Sequence, residues 1–365
     1  MKARQILSVF LLLTCFLPLY SLPVSASVSA ASAILYEPET QTVIYEKNAD
    51  VRRPMASTTK IVTALAATEV LSPQTQISVP KEAVGVEGTS TYLEEGEILS
   101  FESLLYALLL QSANDAAVTI AIACDGSIEA FAERMNAIAA RLGLKDTHFT
   151  NPHGLPDEAH YTTARELAIL TAEALQTPLI RTVVSTQKKA FSSSLRLRVL
   201  TNHNKLLRLY DNAIGVKTGF TKAAGRCLVG AAALDGMTLI SVTLDAADDW
   251  NDHLYLFEKG FSEYRKNHVL HSGEISFRLP VINGEAPFVD ITNEDAYAKI
   301  EKWSEGGYTV YLDIKAMPVA PIARGDILGY ASIHKNGKEV IRLPLTAQHA
   351  VPSALSAKKR FHLFG

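Results

Sequence analysis

Ser57 and Lys60 stand three residues apart in Pro54-Met55-Ala56-Ser57-Thr58-Thr59-Lys60-Ile61-Val62. On a helix that spacing puts both side chains on one face. A serine hydroxyl becomes a nucleophile when a neighbouring base takes its proton, and an amine held against it in a partly desolvated cleft can be that base. A helix N-terminus adds a positive potential that favours the developing alkoxide. The chemistry these residues could perform is acyl transfer through a serine ester. Alone the motif is weak: Ser-x-x-Lys recurs at Ser78, Ser185, Ser332 and Ser356, and a helix N-cap beside an exposed lysine is the plain alternative.

Two sharper motifs come later in the chain. Ser112-Ala113-Asn114-Asp115 stands directly after a helical stripe of Leu104, Leu105, Leu108 and Leu109, and Ser-x-Asn occurs nowhere else. Because buried unpaired amides and hydroxyls are costly, these side chains must face something other than an apolar core. The alternative is a cap for the next helix, Ala116 to Ala123. Lys217-Thr218-Gly219, in Gly215 to Thr221, is also unique. On a strand it would turn a cation and a hydroxyl toward a cleft, while Gly219 lets a substrate backbone approach closely; an edge strand with a protective lysine is the alternative. His148, His153 and His160 crowd the loop around Asn151-Pro152-His153-Gly154-Leu155. Their spacing fits no helical His-x-x-x-His pair and no zinc-hydrolase pattern, so they are expected to brace the loop, and no metal is expected.

These motifs sit in a chain of 365 residues with formal net charge −3. That size supports two domains, and that charge gives no general basic field for nucleic acid. Lys2 and Arg4 precede the apolar run Ile6 to Leu13, and Val24-Ser25-Ala26 supplies small residues. This reads as a secretory signal peptide over residues 1–26, with cleavage after Ala26 or, in a second match, after Ala30. The mature protein is expected outside the cytoplasm. Cys15 follows Thr14, where a lipoprotein cleavage site would carry a small residue, so no lipid anchor is expected there. Cys124 and Cys227 read as separate buried thiols, with one disulfide as the alternative. No later run is long and apolar enough to span a bilayer.

The positioning elements can be taken in order. Ala33 to Tyr36 and Thr42 to Tyr45 flank Glu37-Pro38-Glu39-Thr40 as an opening hairpin, and the helix from Ser57 carries apolar residues through Leu71. After a polar stretch from Pro80 to Gly96, Ser100 and Glu102 open a second helical block; Phe131 to Leu142 and Thr162 to Leu175 are further amphipathic helices. Arg226 to Ala232 and Met237 to Leu244 read as paired strands around Leu234-Asp235-Gly236, followed by a helix to about Tyr264. The catalytic part is therefore expected over 27–268. Residues 269–350 are β-patterned, with runs at Ile275 to Leu279, Tyr308 to Ile314, Ile327 to Ile333 and Val340 to Leu343, and Asn336-Gly337 as a strong hairpin signal. The tail, 351–365, is basic and then aromatic through Lys358-Lys359-Arg360-Phe361-His362-Leu363-Phe364, and could touch an anionic membrane surface.

Taken in order, Ser57-x-x-Lys60, Ser112-x-Asn114 and Lys217-Thr218-Gly219 resemble the motif set of class A β-lactamases and penicillin-binding proteins. The mature chain resembles the low-molecular-mass penicillin-binding proteins, the serine D-alanyl-D-alanine carboxypeptidases, also in Ser112 to Ala117, Asn151 to Leu155 and Lys217 to Thr221. The resemblance implies an α+β fold: a five-stranded antiparallel sheet flanked by helices, β-lactamase/transpeptidase-like, with a smaller C-terminal all-β domain. It implies that Ser57 is acylated, that Lys60 takes its proton, and that Ser112 and Lys217 relay a proton to the departing D-alanine. Asn114 would hold the substrate amide, Thr218 and Thr221 the terminal carboxylate, Gly219 the close approach, and the N–H groups of Ser57 and Phe220 the oxyanion. Implied partners are peptidoglycan stem peptides ending in D-Ala-D-Ala, with β-lactams as covalent inhibitors and no cofactor. Phe220 stands where some members carry histidine, which implies a changed rate rather than lost activity. A serine β-lactamase would use a Glu to position water, and residues 151–154 offer none. A transpeptidase would use the same residues, and a non-catalytic wall-binding or β-lactam-sensing module need not keep them; a zinc peptidase would lose activity to a chelator.

Overall fold

The computed structural model describes residues 28–354. The leader through Ala26 and the basic and aromatic segment from Leu355 lie outside the described residues. The chain opens with the hairpin β1 (Ser32–Glu37) and β2 (Thr42–Lys47), and a 3-10 turn at Ala56–Thr59 leads into α1 (Lys60–Thr68). A short ribbon of β3 (Gln76–Ser78) and β4 (Ile98–Ser100) precedes α2 (Phe101–Leu110), α3 (Asn114–Asp125) and α4 (Ile128–Arg141). Then come α5 (Ala164–Gln176), α6 (Pro178–Ser185), a second ribbon of β5 (Lys188–Ser192) and β6 (Leu197–Thr201), and the single turn α7 (Leu206–Leu209). Strands β7 (Ala213–Thr221), β8 (Gly225–Leu234) and β9 (Met237–Ala246) come next, and α8 (Asp249–Glu263) closes this part.

The five long strands form one antiparallel sheet in the order β2-β1-β9-β8-β7. Alternation along each strand feeds two cores. Ile34, Val229, Ala231, Ile240 and Val242 face the helical side with α1, α2 and α5, whereas Ala33, Leu35, Leu228, Ala232 and Leu239 face Leu256 and Phe257 of α8. With both faces covered, β1 is buried along its whole length. Strand β7 is left as an edge beside the Ala56–Thr59 turn.

Beyond α8, β10 (Tyr264–Leu270) pairs with β13 (Tyr297–Lys302). A second five-stranded antiparallel sheet contains β11 (Ser276–Pro280), β12 (Phe288–Asn293), β14 (Tyr308–Ile314), β15 (Ile327–Lys335) and β16 (Lys338–Ala347), in the order β11-β12-β16-β15-β14. It has its own core of Val289, Ile291, Ala331, Ile333 and Leu345. Asn336 and Gly337 sit at φ 53° and 76° in the turn joining β15 to β16, as expected of an Asn-Gly hairpin. The expected α+β fold with a smaller all-β domain is what the chain adopts.

Two local expectations change. The helix read from Ser57 to Leu71 is a 3-10 turn followed by a helix that ends at Thr68. Thr58 and Thr59 donate their hydroxyls to the carbonyls of Met55 and Ala56, side-chain bonds that compete with regular helix in the first turn. Ser112 to Asp115 is not a side-chain cap, because α3 begins at Asn114 without one. The two cysteines are free, and burial pushes both thiols up to about 12.

Candidate active site

Ser57 lies in the 3-10 turn and Lys60 is the first residue of α1. The Lys60 side chain is fully buried, and its Nζ lies 3.0 Å from Ser57 Oγ, 2.7 Å from Asn114 Oδ1 and 2.7 Å from the His153 carbonyl. The two carbonyl-type oxygens can only accept. A neutral amine therefore gives both its hydrogens to them and turns its lone pair toward Ser57. Burial drives Lys60 toward that neutral form: it holds the amine well below the usual lysine range, aided by the charge of Lys217 and opposed by Asp115.

Asn114 starts α3, and its amide is engaged at both ends, with Nδ2 donating to the Glu87 carbonyl at 2.6 Å. A substrate amide must compete for it. Asp115 beside it accepts hydrogen bonds from Ser90 Oγ and the N–H groups of Thr91 and Leu93, so the start of α3 holds the loop before β4 over the site. Gly88 is needed there, since a Cβ at φ +93° would lie 2.7 Å from Asn114 Nδ2. Ser112, at φ 64°, lines the same cleft as Ser57.

Edge strand β7 closes the other side. A methyl group on Gly219 would lie 3.1 Å from both Ser57 N and Thr58 N, which measures how closely the strand approaches the Ala56–Thr59 turn. Thr218, Gly219 and Phe220 line the cleft, with the Phe220 side chain largely in solvent. Lys217 is buried behind them and donates to the Thr218 carbonyl at 2.8 Å; burial lowers it to about 7. Thr221 Oγ1 accepts from the Ala224 N–H at 3.0 Å and so serves the turn into β8.

The histidines brace the loop beneath Ser57. Thr150 N–H donates to His160 Nδ1 at 3.1 Å, which puts the ring hydrogen on Nε2, 2.8 Å from Thr59 Oγ1; Thr59 in turn donates to the Ala56 carbonyl. Burial lowers His160 to about 4 and His153 to about 3, so both rings are neutral. His153 contributes its carbonyl rather than its ring to Lys60.

The cleft holds about 540 Å³ and is also lined by Thr89, His203, Arg226, Asp249 and Trp250, none of which the motifs assign to the site. Arg226 lies directly across from Phe220 on β8, and its Nε and Nη2 donate to Asp249 Oδ1 at 2.9 and 2.6 Å. The sequence carries a faint signal for this pair. Arg226 is the one charge opening an apolar strand, and Asp248-Asp249-Trp250 is an acidic helix start with an aromatic beside it.

A profile of the peptidase S11 family, described as D-alanyl-D-alanine carboxypeptidase, matches residues 21–248. The chain belongs to this carboxypeptidase family. It is similar to the D-alanyl-D-alanine carboxypeptidase DacF of Bacillus subtilis, at 30% identity over 336 residues that cover 89% of this chain and 86% of the relative. Among solved structures it is similar to the Streptomyces K15 DD-transpeptidase, with 31% identity and a TM-score of 0.62, covering 64% of this chain and 98% of that one. Its fold is also that of penicillin binding protein 5 from Haemophilus influenzae, at a TM-score of 0.76 over 90% of this chain and 98% of that one with 24% identity.

Proposed function

We propose that this protein removes the terminal D-alanine from peptidoglycan stem peptides ending in D-Ala-D-Ala, through an ester on Ser57. The observation that carries the reading is the fully buried Lys60 amine, 3.0 Å from Ser57 Oγ and 2.7 Å from each of two oxygens that can only accept, Asn114 Oδ1 and the His153 carbonyl. Ser57 Oγ attacks the scissile carbonyl as Lys60 takes its proton, and the N–H groups of Ser57 and Phe220 receive the oxyanion. The Ser112 hydroxyl delivers a proton to the departing amine, with Lys217 supporting that transfer, and Asn114 holds the substrate amide. Thr218 meets the terminal carboxylate. Lys217, near 7, is only partly charged at neutral pH, so the permanent cation for that carboxylate is Arg226, an arginine in the wall of the cleft.

Water hydrolyses the ester. With no carboxylate contributed by residues 151–154, deacylation is slow, and penicillins, which mimic D-Ala-D-Ala, remain attached. An acceptor amine would intercept the same ester. One observation favours this second reading as a side activity: the Streptomyces K15 relative carries the name carboxypeptidase in one comparison and DD-transpeptidase in another.

The enzyme works outside the cytoplasm after loss of its leader. Of the two cleavage sites, after Ala26 or after Ala30, the first is supported by the burial of Val28 and Ala30 and by Asp252, which accepts from Ser29 N–H, Ser29 Oγ and Ala30 N–H. The segment Lys358 to Phe364 makes a peripheral membrane contact.

Intact-protein mass spectrometry with benzylpenicillin tests the reading. A stable adduct is expected on the natural chain and none on Ser57→Ala, with Arg226→Gln acylated roughly tenfold more slowly, and the mass should place the amino terminus at Ser27. No adduct with the penicillin left intact would overturn acyl transfer. Penicillin consumed without an adduct would point to a β-lactamase.

A further inference from the structure

A second cavity, of about 600 Å³, opens beside the turn that carries Ser57. It is lined by Pro54, just upstream of that turn, and by the buried His160, whose Nε2 lies 2.8 Å from Thr59 Oγ1. The loop from Pro156 to Tyr161 supplies one wall, and Ala223, in the turn between β7 and β8, another. The volume is that of a small-molecule site. Neither Ser57 nor Lys60 lines it.

The cavity begins where the cleft ends, on both walls. Leu155 and Asn114 share Gly88 as a neighbour: a Cβ there would lie 2.7 Å from Asn114 Nδ2 and 4.0 Å from Leu155 Cδ2. The next residue, Pro156, lines the cavity. On the strand side Thr218, Gly219 and Phe220 line the cleft, and Ala223, just past the end of β7, lines the cavity. In the reading above, the terminal carboxylate of the substrate meets Thr218 and its scissile carbonyl meets the Phe220 N–H. The substrate chain then runs antiparallel to β7 and leaves the cleft past Thr221. An extended residue advances about 3.4 Å. The residue ahead of D-Ala-D-Ala is therefore level with Thr221, and a long side chain on it reaches Ala223 and the cavity.

Charge decides what that side chain carries. Arg52 and Arg53 both reach the cavity, and each is matched by a carboxylate that does not line it. Arg52 Nε donates to Asp146 at 2.8 Å with its guanidinium over the Tyr161 ring, and Arg53 lies 3.7 Å from Asp245 while its Nε donates to Ser32 Oγ at 2.7 Å. Asp157 and Glu158 line the cavity too and are exposed, and neither has an ion pair among the described residues. Asp157 only accepts from the Ala159 N–H, at 2.7 Å. Lys222, on the same turn as Ala223, does not line the cavity. The excess charge is negative and suits a cation.

We propose that this cavity is a subsite for the side chain of the residue preceding D-Ala-D-Ala, and that it takes a long side chain ending in an ammonium, met by Asp157 and Glu158. The proposal rests on the carboxypeptidase reading above and adds a feature of the stem that the cleft does not read. An amine is the group a stem peptide must present to intercept the ester of another stem. Once joined through that amine, the side chain ends in an amide and its charge is gone. A subsite for the ammonium therefore favours stems that have not yet been joined.

Release of D-alanine from two peptides tests this: Nα-acetyl-L-Lys-D-Ala-D-Ala with its side-chain amine free, and the same peptide with that amine acetylated. The free amine is expected to raise kcat/KM about fivefold, the scale of two solvent-screened ion pairs, and the advantage should shrink at about 0.5 M salt. Asp157→Asn with Glu158→Gln keeps an acceptor for the Ala159 N–H and should equalise the two peptides by lowering kcat/KM for the free amine. Ala223→Trp narrows the cavity and should lower kcat/KM for both peptides relative to Nα-acetyl-Gly-D-Ala-D-Ala, which has no side chain to place. Calorimetric binding of the two peptides to Ser57→Ala reads the same preference without turnover. If the natural chain releases no D-alanine while that binding preference persists, the carboxypeptidase reading fails and the subsite stands. Equal kcat/KM and equal binding for the two peptides, or a preference for the free amine that survives Asp157→Asn with Glu158→Gln, would overturn the proposal.

Discussion

Lys217 shows what burial does to one side chain. It is held at about 7 by desolvation alone, whereas an unfolded chain leaves lysine near 10.4. Between those values the unfolded state binds more protons, so the Lys217 contribution to stability rises as pH increases from about 7 to about 10 and is at its most unfavourable below 7. Lys217→Met should therefore raise stability at pH 6 by on the order of 2 kcal/mol, with a smaller gain at pH 9.5. Its charge also lowers Lys60, so in the variant the amine returns toward the ordinary lysine range and the acylation profile moves to higher pH, with a lower rate at neutral pH. Thermal unfolding at the two pH values and penicillin acylation against pH check both parts. A variant less stable than the natural chain at pH 6 would contradict this account.

At the level of elements, the Ala56–Thr59 turn that carries Ser57 is held by a loop from far along the chain. Thr63 Oγ1 donates to the Pro152 carbonyl at 2.6 Å and Asn151 Oδ1 accepts from Gly154 N–H at 2.7 Å, which brings Gly154 against Ala56. At φ +87° a Cβ on Gly154 would lie 1.9 Å from the Ala56 carbonyl oxygen. Gly154→Ala is expected to cost on the order of 3 kcal/mol from the clash and the left-handed backbone together. Because Ala56 precedes Ser57, displacing it by about 1 Å should slow acylation roughly 100-fold. Gly143→Ala is the control: its φ is +73° but nothing lies within 4 Å, so it should cost only about 1 kcal/mol of backbone strain and leave acylation unchanged. Equal effects of the two substitutions on acylation would refute the role given to the loop.

For the whole molecule, the two domains are joined by a charged junction. Glu301, almost fully buried, accepts from Asn267 Nδ2 at 2.8 Å and lies 3.3 Å from Lys335 and 3.6 Å from Arg265, while Ile300 packs into the core beneath α8. None of these residues lines the cleft. The Streptomyces K15 structure is spanned over 98% of its length by 64% of this chain. A chain ending at Glu263 is expected to acylate with benzylpenicillin within about threefold of the full rate, since barrier changes below about 1 kcal/mol alter rates by no more than that order. Trimming of wall in intact cells should fall. Unchanged trimming would remove the β domain from the function, and lost acylation would mean that it supports the cleft.

How much of this is legible in the sequence depends on how far apart in the chain the interacting residues are. The Ser100 cap, the Asn336-Gly337 hairpin and the shared face of Ser57 and Lys60 derive from neighbours in sequence, whose geometry local backbone rules dictate. The order of the three motifs is enough to predict the α+β fold and its family. Sequence alone leaves open the features made by contacts across the chain. Whether Lys60 is an exposed cation or a dehydrated base is decided by Asn114 and the His153 carbonyl closing over it. Whether Lys217 faces the cleft or sits behind it is decided by the packing of β7, and Arg226 enters the site only because β8 places it opposite Phe220 and α8 supplies Asp249. Residue types and spacing determined which chemistry was available to this protein; burial and long-range partners, which set the charge of an amine and the direction of its lone pair, were decided by the tertiary structure.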